Sequence, residues 1–412
     1  MQQSKRYCRS QLLCGFLIYY GLLFLSNASL YAQEEVGENG DRVWLRNGIN
    51  FLAADSSMLF TLRFRMQNLA SLETVSESDL AVRDAQFTIR RVRLRMNGFV
   101  ADPRLTFLLQ LSFTRGDADF DNSQFFNVLR DAMISYRPLP NLQFGFGLGK
   151  LPGNRERVIS SGEQQFIDRS IVNRTFNIDR DVGFFAYYTQ PLGASTAEAP
   201  RISIRAALTT GEGRNPIRTV QGLATTVRVA FFPFGNFTNN GDYYVSDLAH
   251  EETPKLYVAG VASRNEKATR VAGQTGLALY GQRTIDNYFV DGIFKWRGFS
   301  FYGEYSRRNA ENPVTQDGTS IRAVFVGDGL NLQAGYMLAK QWEIVLRYSS
   351  VQPNASVEQY LQGQTQYTAG LNYFLNGHRV KFQADASYNV LRGTQVGEQR
   401  SWIVRGQVEL GL

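Results

Sequence analysis

The chain has 412 residues with a net charge of +7, yet only 20% is charged and 43% is hydrophobic, which argues against intrinsic disorder. A mean hydropathy of −0.26 is too polar for a bundle of membrane helices, and outside residues 12–25 there is no long apolar run. The charge is carried by 37 arginines against 7 lysines, and Tyr and Phe supply 49 of 53 aromatic residues.

Residues 1–33 read as a secretory signal peptide. Lys5, Arg6 and Arg9 form its positive region, Leu12 to Leu25 its apolar stretch, and small residues at 26–32 suit cleavage between Ala28 and Gln33. An uncleaved membrane anchor is the competing reading, although the run is short for a span. Removing the three cations and no acid lowers the net charge from +7 to +4. Cys8 and Cys14, the only cysteines, leave with the leader, so disulfides and thiolate metal sites are excluded from the exported chain. Residues 34–57 are expected to form an N-terminal periplasmic segment.

From residue 58 onward, period-two alternation dominates. Sixteen strands are predicted, near 58–68, 85–100, 104–115, 128–137, 141–150, 181–190, 200–210, 223–233, 255–264, 284–296, 298–309, 322–338, 341–350, 364–375, 378–391 and 399–412. In one, Trp342, Ile344, Leu346 and Tyr348 alternate with Glu343 and Arg347. A soluble sandwich gives a similar alternation, but runs of about ten residues are the length a tilted strand needs to cross a bilayer. Connections alternate between short turns, such as Asp102-Pro103 and Asn376-Gly377, and long ones, such as 151–180 and 265–283. That asymmetry is the mark of an outer-membrane barrel, with long outer loops and short periplasmic turns. The segment 234–254 breaks the rule, being long where a short turn is due. The predicted fold is therefore an all-β transmembrane antiparallel barrel, wide enough for an aqueous lumen, with Tyr136, Tyr187, Tyr188, Trp296 and Trp402 as interfacial girdle candidates.

Two arginine groups are candidates for the solute pathway. In Arg90-Arg91-Val92-Arg93-Leu94-Arg95 the apolar parity flips near Arg90–Arg91, which predicts a β-bulge. Arg91, Arg93 and Arg95 then face the lumen together, beside Arg63 and Arg65 of the first strand. Guanidinium forks bind phosphate and carboxylate bidentately, and a cationic wall selects anions. The competing reading is that these arginines pair with inward acids for stability. The second group is the long loop 151–180, expected to fold inward as a constriction, with Arg155, Arg157, Arg169, Arg174 and Arg180 against Glu156, Glu163, Asp168 and Asp179. Some of these must be ion pairs that hold the loop, Asp179-Arg180-Asp181 above all. Elsewhere, inward Arg205, Arg228, Lys295, Arg347, Lys381 and Arg405 stand against Asp131, Asp291, Glu304, Glu343, Asp385 and Glu409, which predicts charges opposed across the lumen. His250 and His378 have no nucleophile at a recognisable spacing, and no phosphate loop, metal cluster or redox motif appears. No metal, cofactor or nucleic acid is expected.

Several stretches resemble one family, the phosphate-selective porins O and P. They are Arg90 to Gly98, Asp131-Ala132 to Gly149-Lys150, Phe166-Ile167-Asp168-Arg169-Ser170, and Asp179-Arg180-Asp181-Val182-Gly183. Gly241-Asp242-Tyr243, Glu252-Thr253-Pro254-Lys255-Leu256, Gln333-Ala334-Gly335-Tyr336, Trp342 to Tyr348 and Tyr367 to Gly377 complete the set. The resemblance covers most of residues 50–412 and accounts for the extended segment at 234–254. It implies a 16-stranded outer-membrane barrel, usually a homotrimer embedded in outer-membrane lipid, with an arginine-lined channel for phosphate or polyphosphate. Two departures are the scarcity of lysine and Leu412 at the end, where an aromatic is usual. Three functions stand as expectations: a passive channel for small anions, a non-selective diffusion porin, or a barrel enzyme such as a lipid hydrolase.

Overall fold

The computed structural model describes residues 34–36, 40–114, 128–193, 196–214, 222–394 and 397–412; the expected leader lies outside them. Three short strands come first, β1 (Glu34–Val36), β2 (Arg42–Leu45) and β3 (Ile49–Leu52). Long strands come next: β4 (Met58–Thr74), β5 (Val82–Val100), β6 (Asp102–Ser112), β7 (Leu129–Leu139), β8 (Leu142–Lys150), β9 (Arg180–Pro191), β10 (Arg201–Thr209), β11 (Ala224–Phe232), β12 (Lys255–Arg270), β13 (Ala278–Trp296) and β14 (Phe299–Ala310). A small hairpin of β15 (Val314–Asp317) and β16 (Ser320–Ala323) leads to β17 (Gly327–Ala339), β18 (Trp342–Pro353), β19 (Gly363–Asn376), β20 (Val380–Gly393) and β21 (Gly397–Gly411). Two short helices lie between β8 and β9, α1 (Arg155–Val158) and α2 (Ile171–Phe176).

Strands β4–β14 and β17–β21 each run antiparallel to their neighbours, and β21 pairs with β4 from Gly411↔Arg65 to Ile403↔Glu73, closing a barrel of sixteen strands. Closure leaves no open edge, the condition for β structure in hydrocarbon. β21 stops short of the start of β4. There β3 takes over the same edge, from Ile49↔Leu62 to Leu52↔Leu59.

Strand parity reads inside out relative to a soluble protein. On β18, Trp342, Ile344 and Leu346 point outward and are exposed, while Glu343 and Arg347 are buried toward the lumen. The turn between β13 and β14 is Arg297-Gly298, both at positive φ (49° and 84°), the two-residue turn whose twist matches antiparallel strands.

Every predicted strand is present, but several outer ends run further. β4 has 17 residues and β5 has 19, so most of the predicted loop 69–84 is strand. From Gln67 to Glu73 the apolar alternation lapses, with polar Asn68 between buried Gln67 and Leu69, yet the ladder to β5 continues. The strand predicted from residue 322 begins at Gly327, because 320–323 belong to the β15–β16 hairpin.

The lumen is occupied by two inserts. One, 151–179, joins β8 to β9. Its helix α2 is capped by Ser170 Oγ, which accepts from Asn173 N at 3.0 Å, and buries Ile171, Val172 and Phe176 against Leu151, Ile178, Phe289 and Val351. The other, 233–254, enters from the turn side between β11 and β12 and packs Phe237 and Val245 with Tyr257, Ile293 and Tyr302. Ile159 of the first insert joins that second cluster, so the two share a core.

Candidate solute pathway

The register of β4 and β5 sets five arginines on one wall. Arg63 pairs with Arg95, Arg65 with Arg93, and Gln67 with Arg91; the next pair is Asn68↔Ile89, leaving Arg90 as the extra residue of a bulge. The bulge lies where the parity change in the sequence puts it. Across β6, Arg93 meets Ser112 and Arg95 meets Gln110, so the wall carries no acid of its own there. Like charges directly opposite one another in a sheet are destabilising.

These five differ in their partners. Arg65 donates to Ser160 Oγ (3.0 Å) and Ser161 Oγ (2.8 Å), and lies 3.7 Å from Glu409. Arg93 donates to Ser161 Oγ (2.8 Å) and Arg91 to Gln67 Oε1 (2.8 Å). Arg63 and Arg95 have no hydrogen-bond or ion-pair partner among the described residues, and both line the open cavity.

The loop arginines are held more tightly. Arg155 is buried, bonds Asp242 Oδ2 at 2.8 Å, and stacks 4.6 Å from the rings of Tyr243 and Tyr257, which clasps the first insert to the second. Arg157 Nε donates to Asp179 Oδ1 at 2.8 Å. Arg169 closes the end of α1 by donating to the carbonyls of Glu156 and Ile159, each at 2.8 Å. Among the described residues Arg174 reaches only Gln364 Oε1, at 2.6 Å. Arg180 forks onto Asp131 at 2.9 and 3.1 Å and touches Asp179 at 3.0 Å. Asp181, its neighbour, accepts from Thr209 Oγ1, Thr210 Oγ1 and the backbone N–H of Gly211.

Two loop groups report the local field. Burial, and then the guanidiniums of Arg157, Arg91 and Arg93, depress Arg169 well below the ordinary arginine pKa. Burial works to raise Asp179, but Arg157, Arg180 and Arg130 overcome it and hold that carboxyl well below its usual range. Positive charge is therefore concentrated where the loop faces the arginine wall.

The opposite end of the loop is fixed by Gln165. Its amide donates to Glu343 Oε1 (2.6 Å) and Ser300 Oγ (3.1 Å), and its side-chain oxygen accepts from Gln333 Nε2 (3.0 Å). Asn372 Nδ2 donates to its backbone carbonyl at 2.8 Å. Gly335 makes room, since a Cβ there would lie 2.1 Å from Gln165 Nε2. Four strand lysines act as tethers to backbone carbonyls of the inserts. Lys150 reaches Val158 O (2.9 Å), Lys255 reaches Phe234 O (3.0 Å), Lys295 reaches Gly241 O (2.7 Å) and Lys381 reaches Gln164 O (2.9 Å).

Half of the charges predicted to oppose one another across the lumen pair with each other instead. Arg405 pairs with Asp385 at 2.7 Å and Arg228 with Asp291 at 2.5 Å, while Lys381 lies 3.6 Å from Glu409. Register places Asp385 beside Arg405 and Lys381 beside Glu409, so each charge is neutralised locally. Tyr187 was expected in the outer girdle, but its parity is opposite to that of Tyr188 and it lines the lumen; Tyr136, Trp296 and Trp402 are exposed outward.

Sequence reading did not single out Arg90, which bonds Asp168 and Ile167 O, because a bulge residue has no assigned face. Nor did it find Gln165 or Asp242, whose partners are more than 85 residues away. The histidines sit near the turn side, His378 with its ring 5.3 Å from both Tyr244 and Phe374.

What remains open is a cavity of about 1490 Å³ between the arginine wall and the two inserts. Among the described residues it is lined by nine cationic side chains (Arg63, Arg65, Arg93, Arg95, Arg137, Lys150, Arg180, Arg205 and Arg379) against three acidic ones, Asp131, Glu163 and Glu409.

No curated protein sequence matches the chain. In fold it is similar to an anion-selective porin from Comamonas acidovorans, at 12% identity over 86% of this chain and 100% of that one, with a TM-score of 0.53. OmpF of Salmonella typhi aligns at 12% identity over 86% and 98% of the two chains with a TM-score of 0.55. OprB of Pseudomonas putida aligns at 10% over 87% and 95%, with a TM-score of 0.53. Identities this low speak for the fold alone. The profile of one family, phosphate-selective porin O and P, matches residues 60–401. With the closed barrel and its polar lumen, that match makes the chain a channel of the bacterial outer membrane and a member of the phosphate-selective porin O and P family.

Proposed function

We propose that the protein is a passive channel that prefers small anions, with phosphate or polyphosphate first among the candidates. The observation that carries this reading is the charge of the cavity lining, nine cationic against three acidic side chains among the described residues. Asp131 is already bound to Arg180, and Glu409 lies near Lys381 and Arg65, whereas Arg63 and Arg95 have no hydrogen-bond or ion-pair partner among the described residues. A narrow passage lined by one sign of charge raises the local concentration of the opposite ion. In this reading Arg63, Arg65, Arg91, Arg93 and Arg95 form the anion pathway. The insert 151–180 is the constriction, held in place by Arg155, Arg157, Arg169 and Arg180.

The test is the reversal potential of the purified protein in a planar bilayer under a KCl gradient. Anion preference, with chloride current competed by phosphate, is the expected result; cation preference overturns the reading. A potential near zero supports the second reading, a non-selective diffusion porin, which the locally neutralised pairs on β11, β13, β20 and β21 favour. Membership of the family supports a homotrimer, exported by the leader at 1–33. Chemical crosslinking of the protein in detergent checks that assembly.

A further inference from the structure

The cavity is not polar all round. On β8 the lumen-facing positions are Gly145, Gly147 and Gly149, alternating with outward Phe144 and Phe146. With no side chains there, neighbours lean over the gap. A Cβ at Gly149 would lie 2.4 Å from Met133 Cε and 3.6 Å from Phe185 Cζ, and one at Gly145 would lie 3.0 Å from Met133 Sδ. The rings of Phe185 and Tyr187 stack with centroids 6.5 Å apart and 6° between planes. Leu108 continues this surface on β6, in register with Met133 on one side and Asn97 on the other. Leu108 and Tyr187, both half-buried, line the cavity, and Met133 is buried beneath them in the core shared with α2. The apolar floor thus begins one inward position beyond Arg95, roughly 7 Å along the strand.

An apolar floor beside a cationic row does nothing for a hydrated inorganic ion, which keeps its water and has no surface to bury. It favours a solute with an apolar body, because removing that body from water is favourable in proportion to the area covered. We infer that the preferred solutes are amphipathic organic anions: one carboxylate or phosphate group at Arg63 and Arg95, joined to an aromatic or aliphatic body that lies on Leu108 and Tyr187. This rests on the anion-channel reading and puts an organic class ahead of inorganic phosphate as the preferred solute.

The experiment uses the full-length protein in planar bilayers. Reversal potential is measured first, without blockers, and cation preference at that stage defeats the parent reading independently of any blocking result. Block of the chloride current is then titrated with benzoate, acetate, benzyl alcohol and inorganic phosphate. Benzoate should block about tenfold more tightly than acetate, the factor carried by burying roughly 55 Å² of apolar surface, and benzyl alcohol should block weakly. Leu108→Ser should bring benzoate toward acetate while leaving phosphate unchanged. Equal block by benzoate and acetate in the wild-type channel overturns the inference, whatever the variant does, and makes the floor packing for the insert only. Benzyl alcohol blocking as well as benzoate also overturns it, because the arginines would then have no part.

Discussion

Two sets of arginines in this barrel have the same chemistry and different surroundings. On β4 and β5 they stand opposite one another on rigid strands, at Arg63↔Arg95 and Arg65↔Arg93, with only Ser and Gln beside Arg93 and Arg95 on β6. In the insert 151–180 four of the five are bound to carboxylates or carbonyls. The difference lies in what each guanidinium has to offer a passing solute. A group whose donors are satisfied holds structure, and one whose donors face water can exchange partners. Counting arginines in a sequence does not separate these; counting their acceptors does.

The sharpest way to break the comparison is to treat the two sets alike. Arg180→Ala leaves Asp131 buried without its forked partner, and loss of one member of a buried pair costs about 3–5 kcal/mol. The midpoint of denaturant unfolding of the detergent-solubilised protein should fall accordingly. Gln165→Ala strips Glu343 and Ser300 of a donor and should cost about 1–3 kcal/mol. It should also loosen the insert, visible as added open-channel noise. Arg63→Gln with Arg95→Gln should leave stability within about 0.5 kcal/mol of wild type, or raise it by removing repulsion. The same pair should move the reversal potential clearly toward zero, and an unchanged potential would show that the wall is not the selective element. Arg174→Gln, losing one contact to Gln364, should change neither stability nor selectivity measurably. The smallest effect is with acid. Because Arg157, Arg180 and Arg130 hold Asp179 below its usual range, its contribution is complete above the unfolded carboxylate pKa of about 3.9 and fades only as pH falls through its own lower value. Single-channel conductance should therefore show no loop-opening transition between neutral pH and about pH 4.

The barrel was legible from sequence because lipid and water impose opposite demands on alternate residues, and the chain records both. Where that contrast ends, as in the outer halves of β4 and β12, strand continued unseen. The wall of arginines was legible for the same reason, since parity and one bulge were enough to orient Arg91, Arg93 and Arg95. Tyr187 shows the limit: adjacent Tyr187 and Tyr188 cannot share a face, and only the alternation of β9 decides which one meets lipid. The inserts were not legible. Gln165 finds Ser300, Gln333, Glu343 and Asn372 through closure of the whole sheet, and nothing near Gln165 in sequence announces those partners. The scarcity of lysine gains a physical meaning too, as Lys150, Lys255, Lys295 and Lys381 are spent on carbonyls of the inserts.

The insert 151–179 touches both sides of the bore, Arg180 and Lys150 at one end and the Gln165 cluster at the other. A hollow cylinder one strand thick resists stretching along its hydrogen bonds but flattens readily under sideways load. A beam fixed across its diameter removes that soft mode. The clasp of Arg155 on Asp242 adds a second brace from the opposite opening. Changes in lateral pressure of the surrounding membrane should therefore leave the cross-section nearly constant, so that the passage keeps its dimensions while the bilayer around it thickens, thins or bends.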